Sequence, residues 1–368
     1  MINILHAIDT TGPGGAETVF IELLDRLDRT TYTPTVVIRG KGWVHDELCR
    51  RGYTPFIVPA KGSFNLRYLF SLVSIIRRKK IDLIQSHLFG SNVYCSLAGW
   101  LTRTPVIATF HGSVDVDGER FVSSKFYIIN RLASRIILVS EELKARITSL
   151  VTLNLRKTSI IYNGVNTTAY NAAKNDALKN RIDFRGDVLI GSLGNVRPAK
   201  AYDILIRAAK LVVRTLPDVK FVIAGDNNNA LHQTLLELRN KLELDDVVLF
   251  LGFCDDTAEF LNGIDVFLLS STSEGCPVSV IEAMSAGVPL VVTDCGGLLE
   301  MVKDDVDALV CPAYSPQALA DAIIRLINAP ELGAKLVANA RETVSSRFTM
   351  DAMLNSYEGV YQAALQGR

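Results

Sequence analysis

The stretch from Ser270 to Glu300 combines two spaced carboxylates, a helix start and four glycines. An apolar run predicts a strand directly before it, Pro277 suits the first turn of a helix, and Gly287 predicts where that helix ends. The first amides of a helix lack intrahelical partners and carry the positive end of its dipole. The amides of Val278 and Ser279 therefore predict a site for an anion, most naturally a phosphate.

Two glutamates flank this predicted anion site. Glu274 lies just before the helix, and Glu282 lies four residues beyond Val278. Because a carboxylate beside a phosphate repels it, we expect both glutamates to face hydroxyl groups. A diphosphate between two polyols meets these requirements, and a nucleotide sugar has that chemistry. Taken singly, each glutamate is more often structural, since acids near a helix start complement the dipole or occupy a solvated face.

The spacing of the two glutamates is more specific than either residue alone. Glu-Gly-x-Pro, followed by Glu-Ala-Met-x-Ala-Gly-x-Pro, resembles the signature of the retaining glycosyltransferases of the GT-B fold, group 1 family. The resemblance implies that Glu274 contacts the transferred sugar and Glu282 the ribose hydroxyls of the donor. The donor-binding residues that it implies in this segment are Glu274, Gly275, Cys276, Pro277, Val278, Ser279 and Glu282.

A glycine-rich loop follows the first predicted strand. Gly14 and Gly15 lie in the sequence Gly-Pro-Gly-Gly-Ala-Glu between that strand and an amphipathic helix. A G-x-G-x-x-G dinucleotide motif needs glycine where Glu17 stands, which argues against a nicotinamide site. The resemblance implies that Gly14 and Gly15 line the cleft beside the acceptor and the donor phosphate. A plain tight turn accounts for either glycine equally well.

Two histidines follow other predicted strands. His111-Gly112 comes after Val106 to Phe110, and the resemblance implies that the His111 imidazole approaches the transferred sugar. A lone histidine is more often a structural residue, but we predict a catalytic role for His111. His87 also follows a strand, and packing explains it at least as well.

The second half of the chain supplies two cations and an aromatic residue. Arg197 and Lys200 follow a predicted strand that ends in Gly194, and cations there offset a diphosphate and stabilise it as a leaving group. Lys200 matches the lysine of the family, whereas Arg197 only neighbours the family's arginine position, which holds Asn195. The resemblance places Phe253 beside the nucleobase, although a core position is the commoner fate of a phenylalanine.

No metal is required by this chemistry. Asp115-Val-Asp117 and Asp305-Val-Asp307 both spell D-x-D, a metal motif of a different transferase fold. Neither directly ends a clear strand beside the predicted phosphate loop, so we interpret both as solvated turns. We predict no metal and no cofactor besides the nucleotide-diphosphate sugar, which is a co-substrate.

Strands alternate with helices along the chain, which predicts parallel α/β sheets. We predict an α/β protein of GT-B type, with two Rossmann-like domains and a deep interdomain cleft. The predicted parts are an acceptor-side domain over 1–170, an Asn-rich linker over 171–187, a nucleotide-sugar domain over 188–348, and a C-terminal helix over 349–368 that crosses back to the first domain.

Charge is distributed unevenly. Residues 1–170 hold 21 Lys plus Arg against 13 Asp plus Glu, and the remainder holds 18 against 26, so that the whole chain is neutral. A neutral total argues against nucleic acid as a partner, while a basic half suits an anionic acceptor or membrane surface, or is an accident of two solvated surfaces. The helix predicted over Asn65 to Lys80 ends in four cations, which indicates either peripheral membrane contact or ordinary packing.

Six cysteines without a C-x-x-C pair indicate a reducing compartment. The first residues lack a basic n-region and no uncharged run reaches the length of a membrane span, so we expect a cytoplasmic protein, placed at the inner face of the membrane if the basic helix binds it.

We therefore predict a retaining, metal-independent glycosyltransferase that moves a hexosyl or N-acetylhexosaminyl group from a nucleotide-diphosphate sugar to a saccharide or lipid-linked acceptor, in the synthesis of cell-envelope polysaccharide or glycoconjugate. One alternative is a nucleotide-sugar epimerase of the same fold, which needs no acceptor. The other is a catalytically silent subunit that binds nucleotide sugar.

Overall fold

A computed structural model describes residues 1–60, 65–113, 116–117 and 119–367 of the chain. The chain divides into two compact units, the first comprising Met1–Asn163 with the residues from Asp351 onward, and the second comprising Gly164–Met350. Each unit is an α/β domain with its own parallel sheet.

The first unit contains, within its described residues, a seven-stranded parallel sheet in the order β3-β2-β1-β4-β5-β6-β7. The strands are β1 (Ile2–Ile8), β2 (Tyr32–Ile38), β3 (Phe56–Ile57), β4 (Leu83–His87), β5 (Val106–Phe110), β6 (Arg135–Leu138) and β7 (Thr158–Ile160). The helices are α1 (Gly15–Arg26), α2 (Trp43–Arg50), α3 (Leu66–Arg78), α4 (Phe89–Thr102), α5 (Val122–Leu132) and α6 (Glu141–Leu150).

Alternation along β1 divides the core of this unit into two layers. Leu5 and Ala7 pack with α3 and α4 on one face of the sheet, whereas Ile8 packs with α1 on the other face. Such strands are buried on both sides, which explains their nearly continuous apolar sequences. The helices therefore cover the sheet and leave its strand ends for loops.

The second unit has a six-stranded sheet in the order β10-β9-β8-β11-β12-β13, which corresponds to the first six strands of the other sheet. The strands are β8 (Val188–Leu193), β9 (Val219–Ala224), β10 (Val248–Gly252), β11 (Val266–Leu269), β12 (Leu290–Thr293) and β13 (Leu309–Cys311). The helices are α7 (Ala177–Arg181), α8 (Tyr202–Val212), α9 (Ala230–Lys241), α10 (Thr257–Asn262), α11 (Val278–Ala286), α12 (Pro316–Asn328) and α13 (Pro330–Arg347), and α14 (Met350–Gln366) begins where the unit ends.

Both strand orders follow the doubly wound Rossmann pattern, in which the order reverses beside the first strand. The reversal lies between β1 and β4 in the first sheet and between β8 and β11 in the second. In open parallel sheets, ligands bind outside the carboxyl ends of the strands at this point. The loops after β1, β4, β8 and β11 are therefore the places to look for a site.

The chain divides into its two units at a point outside the predicted linker. The division falls between Asn163 and Gly164, so the polar segment 171–187 belongs to the second unit. It is anchored there because Leu178 of α7 is fully buried and Lys174 Nζ lies 2.5 Å from Asp265 Oδ1. Its polar composition resembled that of a linker, but long-range contacts hold it.

The predicted helix over Asn65 to Lys80 is α3, and its apolar stripe is a packing surface. Asn65 caps the helix by accepting a hydrogen bond from the Tyr68 amide. Leu72 and Ile76 lie in the core of the first unit, whereas Leu66 and Phe70 are exposed. Of the helices among the described residues, none has the length and apolar content needed to span a bilayer.

Candidate functional site

The centre of the candidate site in the second unit is an ion pair between Lys200 and Glu274. Lys200 Nζ donates to Glu274 Oε1 over 2.7 Å, and Ser271 Oγ donates to the same oxygen over 2.7 Å. The lysine and glutamate side chains are only 18% and 13% exposed. These two predicted residues follow β8 and β11, so the pair lies at the reversal point of the second sheet.

The backbone around Lys200 is tied to the loop that carries Glu274. Ser270 Oγ donates to the Lys200 carbonyl over 2.8 Å, and the Thr272 amide donates to the Ala199 carbonyl over 2.8 Å. A Cβ at Gly194 would lie 2.7 Å from Lys200 Cε, so the glycine leaves room for the lysine side chain. The lysine is thus positioned by both strand ends.

Gly296 and Gly297 close the other side of the Glu274 loop. The Gly297 amide donates to the Glu274 carbonyl over 2.9 Å. Gly296 has φ of +54°, and a Cβ there would lie 2.0 Å from the same carbonyl oxygen. Only glycine fits both the left-handed backbone and the close approach. The pair therefore sets the path of the Glu274 loop.

Helix α11 opens directly from this loop. Pro277 occupies the N-cap position rather than the first turn, so the helix begins at Val278 and Ser279 supplies the second helical amide. Gly287 ends the helix with φ of +74°, as predicted from the sequence. Gly275 and Cys276, in the turn before the cap, are buried. The first amides of α11 therefore follow a buried turn at the positive end of the helix dipole, an arrangement that favours anion binding.

Glu282 lies in the second turn of α11 and is buried with two hydroxyl-bearing partners. Tyr170 Oη donates to Glu282 Oε1 over 2.7 Å, and Thr257 Oγ1 lies 3.5 Å from the same oxygen. The Tyr170 and Thr257 oxygens lie 3.1 Å apart. Neither partner is evident from the sequence, since Tyr170 and Thr257 precede Glu282 by 112 and 25 residues.

The remaining predicted residues of the second unit are exposed. Arg197 begins the 3-10 turn Pro198–Lys200, and its carbonyl accepts from the Lys200 amide over 3.0 Å. Phe253 follows β10 and is 42% exposed, so it is not a core residue. Both side chains therefore lie at the surface near strand ends.

Gly14 and Gly15 begin α1 in the first unit. The Gly14 carbonyl accepts from the Thr18 amide and hydroxyl, at 2.9 Å and 3.0 Å. Thr10 Oγ1 donates to Glu17 across this loop, which explains the buried glutamate where a dinucleotide motif needs glycine. The loop is therefore held by its own side chains.

Asp9 follows β1 and is a largely enclosed acid, its side chain 12% exposed, that the sequence did not mark. Its carboxylate accepts from the Ser91 amide at the start of α4 over 2.9 Å and lies 3.8 Å from Arg39. Burial raises the pKa of Asp9 to about 6, against the opposing effect of Arg39. The carboxylate caps α4 at the reversal point of the first sheet.

His111 follows β5 and is hydrogen-bonded to His87, the last residue of the neighbouring strand β4. His87 Nδ1 lies 2.8 Å from His111 Nε2, and the two ring planes are inclined by 16°. Burial lowers the pKa of His111 to about 4, and burial with the neighbouring His111 lowers the pKa of His87 well below its usual value. Both rings are therefore neutral at physiological pH.

The D-x-D sequences have protein partners of their own. Asp307 accepts from the Lys303 amide and the Thr343 hydroxyl, and Asp305 pairs with Arg325. Asp117 pairs with Arg146, while Asp115 lies outside the described residues. Throughout the described ranges, no cluster of three or more His, Cys, Asp or Glu side chains is arranged to hold a metal ion.

Taken together, the second unit presents a cation, a helix start and two fixed carboxylates in one region. This set can hold a diphosphate by its charge and hydroxyl groups by its carboxylates. Ser271, Tyr170 and Thr257 are the members that the sequence did not reveal. Ser271 alone left a trace, since it lies in the same short stretch as Glu274.

Comparison with protein families divides the chain in two. The family described as "Glycosyl transferases group 1" matches residues 174–343, and "Glycosyltransferase Family 4" matches residues 13–169. The two matches together span most of the chain.

Among curated proteins, N-acetyl-alpha-D-glucosaminyl L-malate synthase of Bacillus anthracis is 25% identical over 82% of this chain and 80% of its own length. UDP-Gal:alpha-D-GlcNAc-diphosphoundecaprenol alpha-1,3-galactosyltransferase of Escherichia coli is 26% identical over 81% of this chain and 79% of its own length. Both relatives are similar along most of their length.

Among solved structures, HepE of Anabaena in complex with UDP and glucose superposes with a TM-score of 0.88 at 22% identity, covering 99% of this chain and 100% of that chain. Sucrose-phosphate synthase of Thermosynechococcus elongatus superposes with a TM-score of 0.81 at 18% identity, covering both chains fully. The predicted GT-B fold class, two parallel-sheet α/β domains, is confirmed.

Proposed function

Because the chain belongs to the group 1 glycosyltransferases, we propose that it transfers a sugar from a nucleotide-diphosphate sugar to a saccharide or lipid-linked acceptor with retention at the anomeric carbon. The observation that carries this proposal is the Lys200–Glu274 pair beside the start of α11. A cation and helix amides suit the diphosphate, and the carboxylates suit hydroxyl groups on either side of it.

Lys200 and the first amides of α11 stabilise the leaving group in this proposal. The ammonium group has three hydrogens, of which one is directed to Glu274 Oε1. Charge that develops on the departing diphosphate is thereby met by donors that are already oriented. Arg197, exposed at the start of the same turn, adds a second positive charge near the phosphate. The proposed reaction needs no metal ion.

Glu274 and Glu282 orient the donor from its two ends. Glu274 accepts hydrogen bonds from hydroxyls of the transferred sugar, and Glu282 accepts them from the ribose. In this proposal Phe253 lies beside the base, His111 approaches the transferred sugar, and Gly14 and Gly15 lie beside the phosphate. The acceptor oxygen attacks the anomeric carbon from the face that the diphosphate leaves. The carbon–oxygen bond to the phosphate breaks, and the acceptor proton passes to a phosphate oxygen.

One of the two relatives supports a lipid-linked acceptor. One relative bears the name of a glucosaminyl malate synthase and the other that of a galactosyltransferase acting on a diphosphoundecaprenol-linked sugar. We propose a saccharide or lipid-linked acceptor of this kind, in the synthesis of cell-envelope polysaccharide or glycoconjugate. Hexosyl and N-acetylhexosaminyl groups are the sugars to test first.

A lipid-linked acceptor would bring the protein to the inner face of the cytoplasmic membrane. The exposed surface of α3 supports this part of the proposal, because Leu66 and Phe70 are 52% and 61% exposed and Arg77 and Arg78 lie on the same helix. Exposed apolar residues beside cations favour an anionic bilayer surface. The contact would be peripheral and made by the first unit alone.

The test begins with ligand-induced thermal stabilisation by UDP-, GDP- and ADP-sugars. One nucleotide class should raise the melting temperature of wild type and of Glu243→Gln, a control at an exposed acid, but raise it less in Glu282→Ala. The stabilising donor is then incubated with saccharide and lipid-linked acceptors, and the anomeric configuration of the product is read by NMR. Stabilisation by no nucleotide sugar, or release of free sugar or a 2-epimer without acceptor, would contradict the proposal.

A further inference from the structure

A chain of buried hydrogen bonds runs across the first sheet from α14 to His111. Gln85 and His87 lie two residues apart on β4 and so share one face, and Thr109 of β5 is in register with His87. Gln85 Nε2 lies 2.9 Å from Thr109 Oγ1 and 3.1 Å from His87 Nε2. His87 Nδ1 lies 2.8 Å from His111 Nε2, and the Thr109 hydroxyl is also hydrogen-bonded to Tyr357 of α14.

The chain is enclosed by the fold. Gln85, His87 and Thr109 have no exposed surface, and Tyr357 is 1% exposed. The Phe20 ring meets His87 edge-on, with centroids 5.3 Å apart, which holds the imidazole in its plane. Because solvent does not reach these groups, the proton on each ring nitrogen is set by its neighbour in the chain.

The direction of the protons follows from the amide of Gln85. An amide nitrogen only donates, so its two hydrogens are directed to Thr109 Oγ1 and His87 Nε2. His87 Nε2 then accepts, and the single proton of the neutral ring lies on Nδ1. That proton is donated to His111 Nε2, which leaves the His111 proton on Nδ1.

We infer that Gln85 and His87 are positioning residues that hold His111 in the tautomer protonated at Nδ1. The inference rests on the proposed function, in which His111 approaches the transferred sugar. The same hydrogen bond fixes the orientation of the His111 ring, whose Nδ1 atom is buried, so the ring approaches the sugar in one fixed pose. Lowered pKa values of His87 and His111 agree with neutral rings in both residues.

The first experiment measures the tautomer in the unmodified protein. The full chain is labelled with ¹⁵N-histidine, and two-bond ¹⁵N–¹H correlations distinguish the two tautomers of its five histidines. The His111 signals are identified from their loss in His111→Asn. We expect the Nδ1–H pattern for His111 and for His87. The Nε2–H pattern for His111, as the opposite orientation of the Gln85 amide would produce, overturns the inference.

The second experiment removes and restores the donor. His87→Leu and Gln85→Leu should shift His111 toward a mixture of tautomers and lower kcat about tenfold or more, with little change in the donor KM. His87→Asn, whose amide nitrogen can occupy the place of Nδ1, should restore part of kcat. His6→Leu is the matched control and should leave kcat unchanged. This buried histidine lies on the neighbouring strand β1, and its ring makes no hydrogen bond to Gln85, His87 or Thr109.

The two experiments separate the inference from the proposed function. If no nucleotide sugar supports transfer, the function fails while the tautomer measurement still decides the hydrogen-bond chain. If transfer proceeds but His87→Leu and Gln85→Leu leave both kcat and the His111 signals unchanged, the positioning role is wrong. Should a leucine variant fail to fold, the tautomer of the wild-type protein still gives the answer.

Discussion

Lys200 is fixed at two points: its ammonium group donates to Glu274, and its carbonyl accepts from Ser270 Oγ. The residue therefore has a fixed position from which to stabilise negative charge. We predict that Lys200→Ala lowers the rate of sugar transfer by about 10²–10³-fold, as loss of a preorganised donor does at a developing anion. Initial rates with saturating donor measure the effect. Turnover should also persist in EDTA, because the lysine and the helix amides carry the leaving-group charge.

The matched control for this prediction is Lys210→Ala, which removes a half-buried lysine of α8 that pairs with the exposed Glu243. Its rate should equal that of wild type. Loss of turnover in chelator, with recovery on adding Mn²⁺ or Mg²⁺, would show that a metal ion and not Lys200 supports the departing diphosphate.

Glu282 and Tyr170 predict a graded effect on nucleotide binding. Glu282→Ala removes a charged acceptor and should weaken the free nucleotide by about 1.5–3 kcal/mol. Tyr170→Phe removes one donor to Glu282 and should weaken nucleotide binding by about 0.5–1.5 kcal/mol. Glu274→Ala should mainly lower the sugar-dependent rate.

Titration calorimetry with the nucleotide that stabilises the protein measures both affinities, and Tyr314→Phe, at a 71% exposed tyrosine, is the control. Equal nucleotide affinity in wild type and Glu282→Ala would show that Glu282 does not bind the ribose.

His6 predicts a pH dependence of stability. Neither of its ring nitrogens has a hydrogen-bond partner among the described residues, and burial lowers its pKa to about 3. The unfolded state takes up a proton below about pH 6.5 while the folded state does not, so stability is full above that pH and falls as the pH decreases. At pH 5 this linkage amounts to about 2 kcal/mol.

We therefore expect His6→Leu to reduce the loss of unfolding free energy between pH 7.5 and pH 5 by about 2 kcal/mol, measured by urea denaturation at each pH. His87 and His111, whose pKa values are also lowered, add to the acid sensitivity that remains. Asp9, with its pKa raised to about 6, opposes them between pH 4 and 6. The same pH dependence in wild type and His6→Leu would contradict the buried, neutral assignment.

The sequence marked candidate site residues but not the side chains that contact them. Lys200 and Glu274 were each marked separately as donor-binding residues, and the structure places them in one ion pair because each follows a strand of the same sheet and such ends share an edge. Tyr170 was not expected beside Glu282, because it lies 112 residues away in a segment without a recognisable pattern. A contact of this kind depends on how Thr167–Tyr170 packs against α11, which no local signal encodes.

At the scale of elements, α3 separates two interpretations of one apolar stripe. Most of the stripe is buried in the first unit, so packing explains it, and only Leu66 and Phe70 remain exposed with the cations. Periodicity predicted the helix correctly. It could not predict what covers the apolar face, since a buried face and a membrane face have the same pattern. The predicted strand Val106–Phe110 is β5 residue for residue, because Pro105 and His111-Gly112 bound its apolar run.

The membrane prediction therefore depends on the cations at the end of α3. Arg77, Arg78, Lys79 and Lys80 are all exposed, and each contributes about 1 kcal/mol near an anionic bilayer. Anionic vesicles should sediment the protein at low salt and release it at high salt. Neutralising these four residues should abolish the retention.

Neutralising four exposed cations of the second unit, Arg207, Arg214, Lys241 and Lys335, is the matched control and should leave sedimentation unchanged. Absence of binding at low salt, or equal loss in both variants, would assign α3 to packing alone.

At the scale of the whole molecule, the two units differ in charge and in the chemistry that they hold. Lys200, Glu274, Glu282 and the start of α11 all lie within Gly164–Met350. The family matches divide the chain similarly, with residues 13–169 in one and 174–343 in the other. Nucleotide affinity should thus belong to the second unit, whereas sugar transfer should require the entire chain.

The division between the units makes this expectation testable with two fragments. A fragment of residues 164–350 keeps Tyr170, the buried Leu178 and the pair of Lys174 with Asp265. A fragment of residues 188–350, which begins where the sequence predicted the second domain to start, loses all three. Burial of a leucine contributes about 1.5–3 kcal/mol, and loss of Tyr170 removes one of the hydrogen bonds to Glu282.

We predict that the longer fragment unfolds cooperatively and binds the nucleotide with nearly the affinity of the full chain, but transfers no sugar. The shorter fragment should unfold at a lower urea concentration and bind the nucleotide more weakly, because the missing residues support the body of the unit and the carboxylate of Glu282. Circular dichroism and titration calorimetry measure the two quantities. Equal stability and equal affinity in both fragments would mean that residues 164–187 are a linker after all, and that the contacts of Tyr170 and Leu178 have no energetic weight.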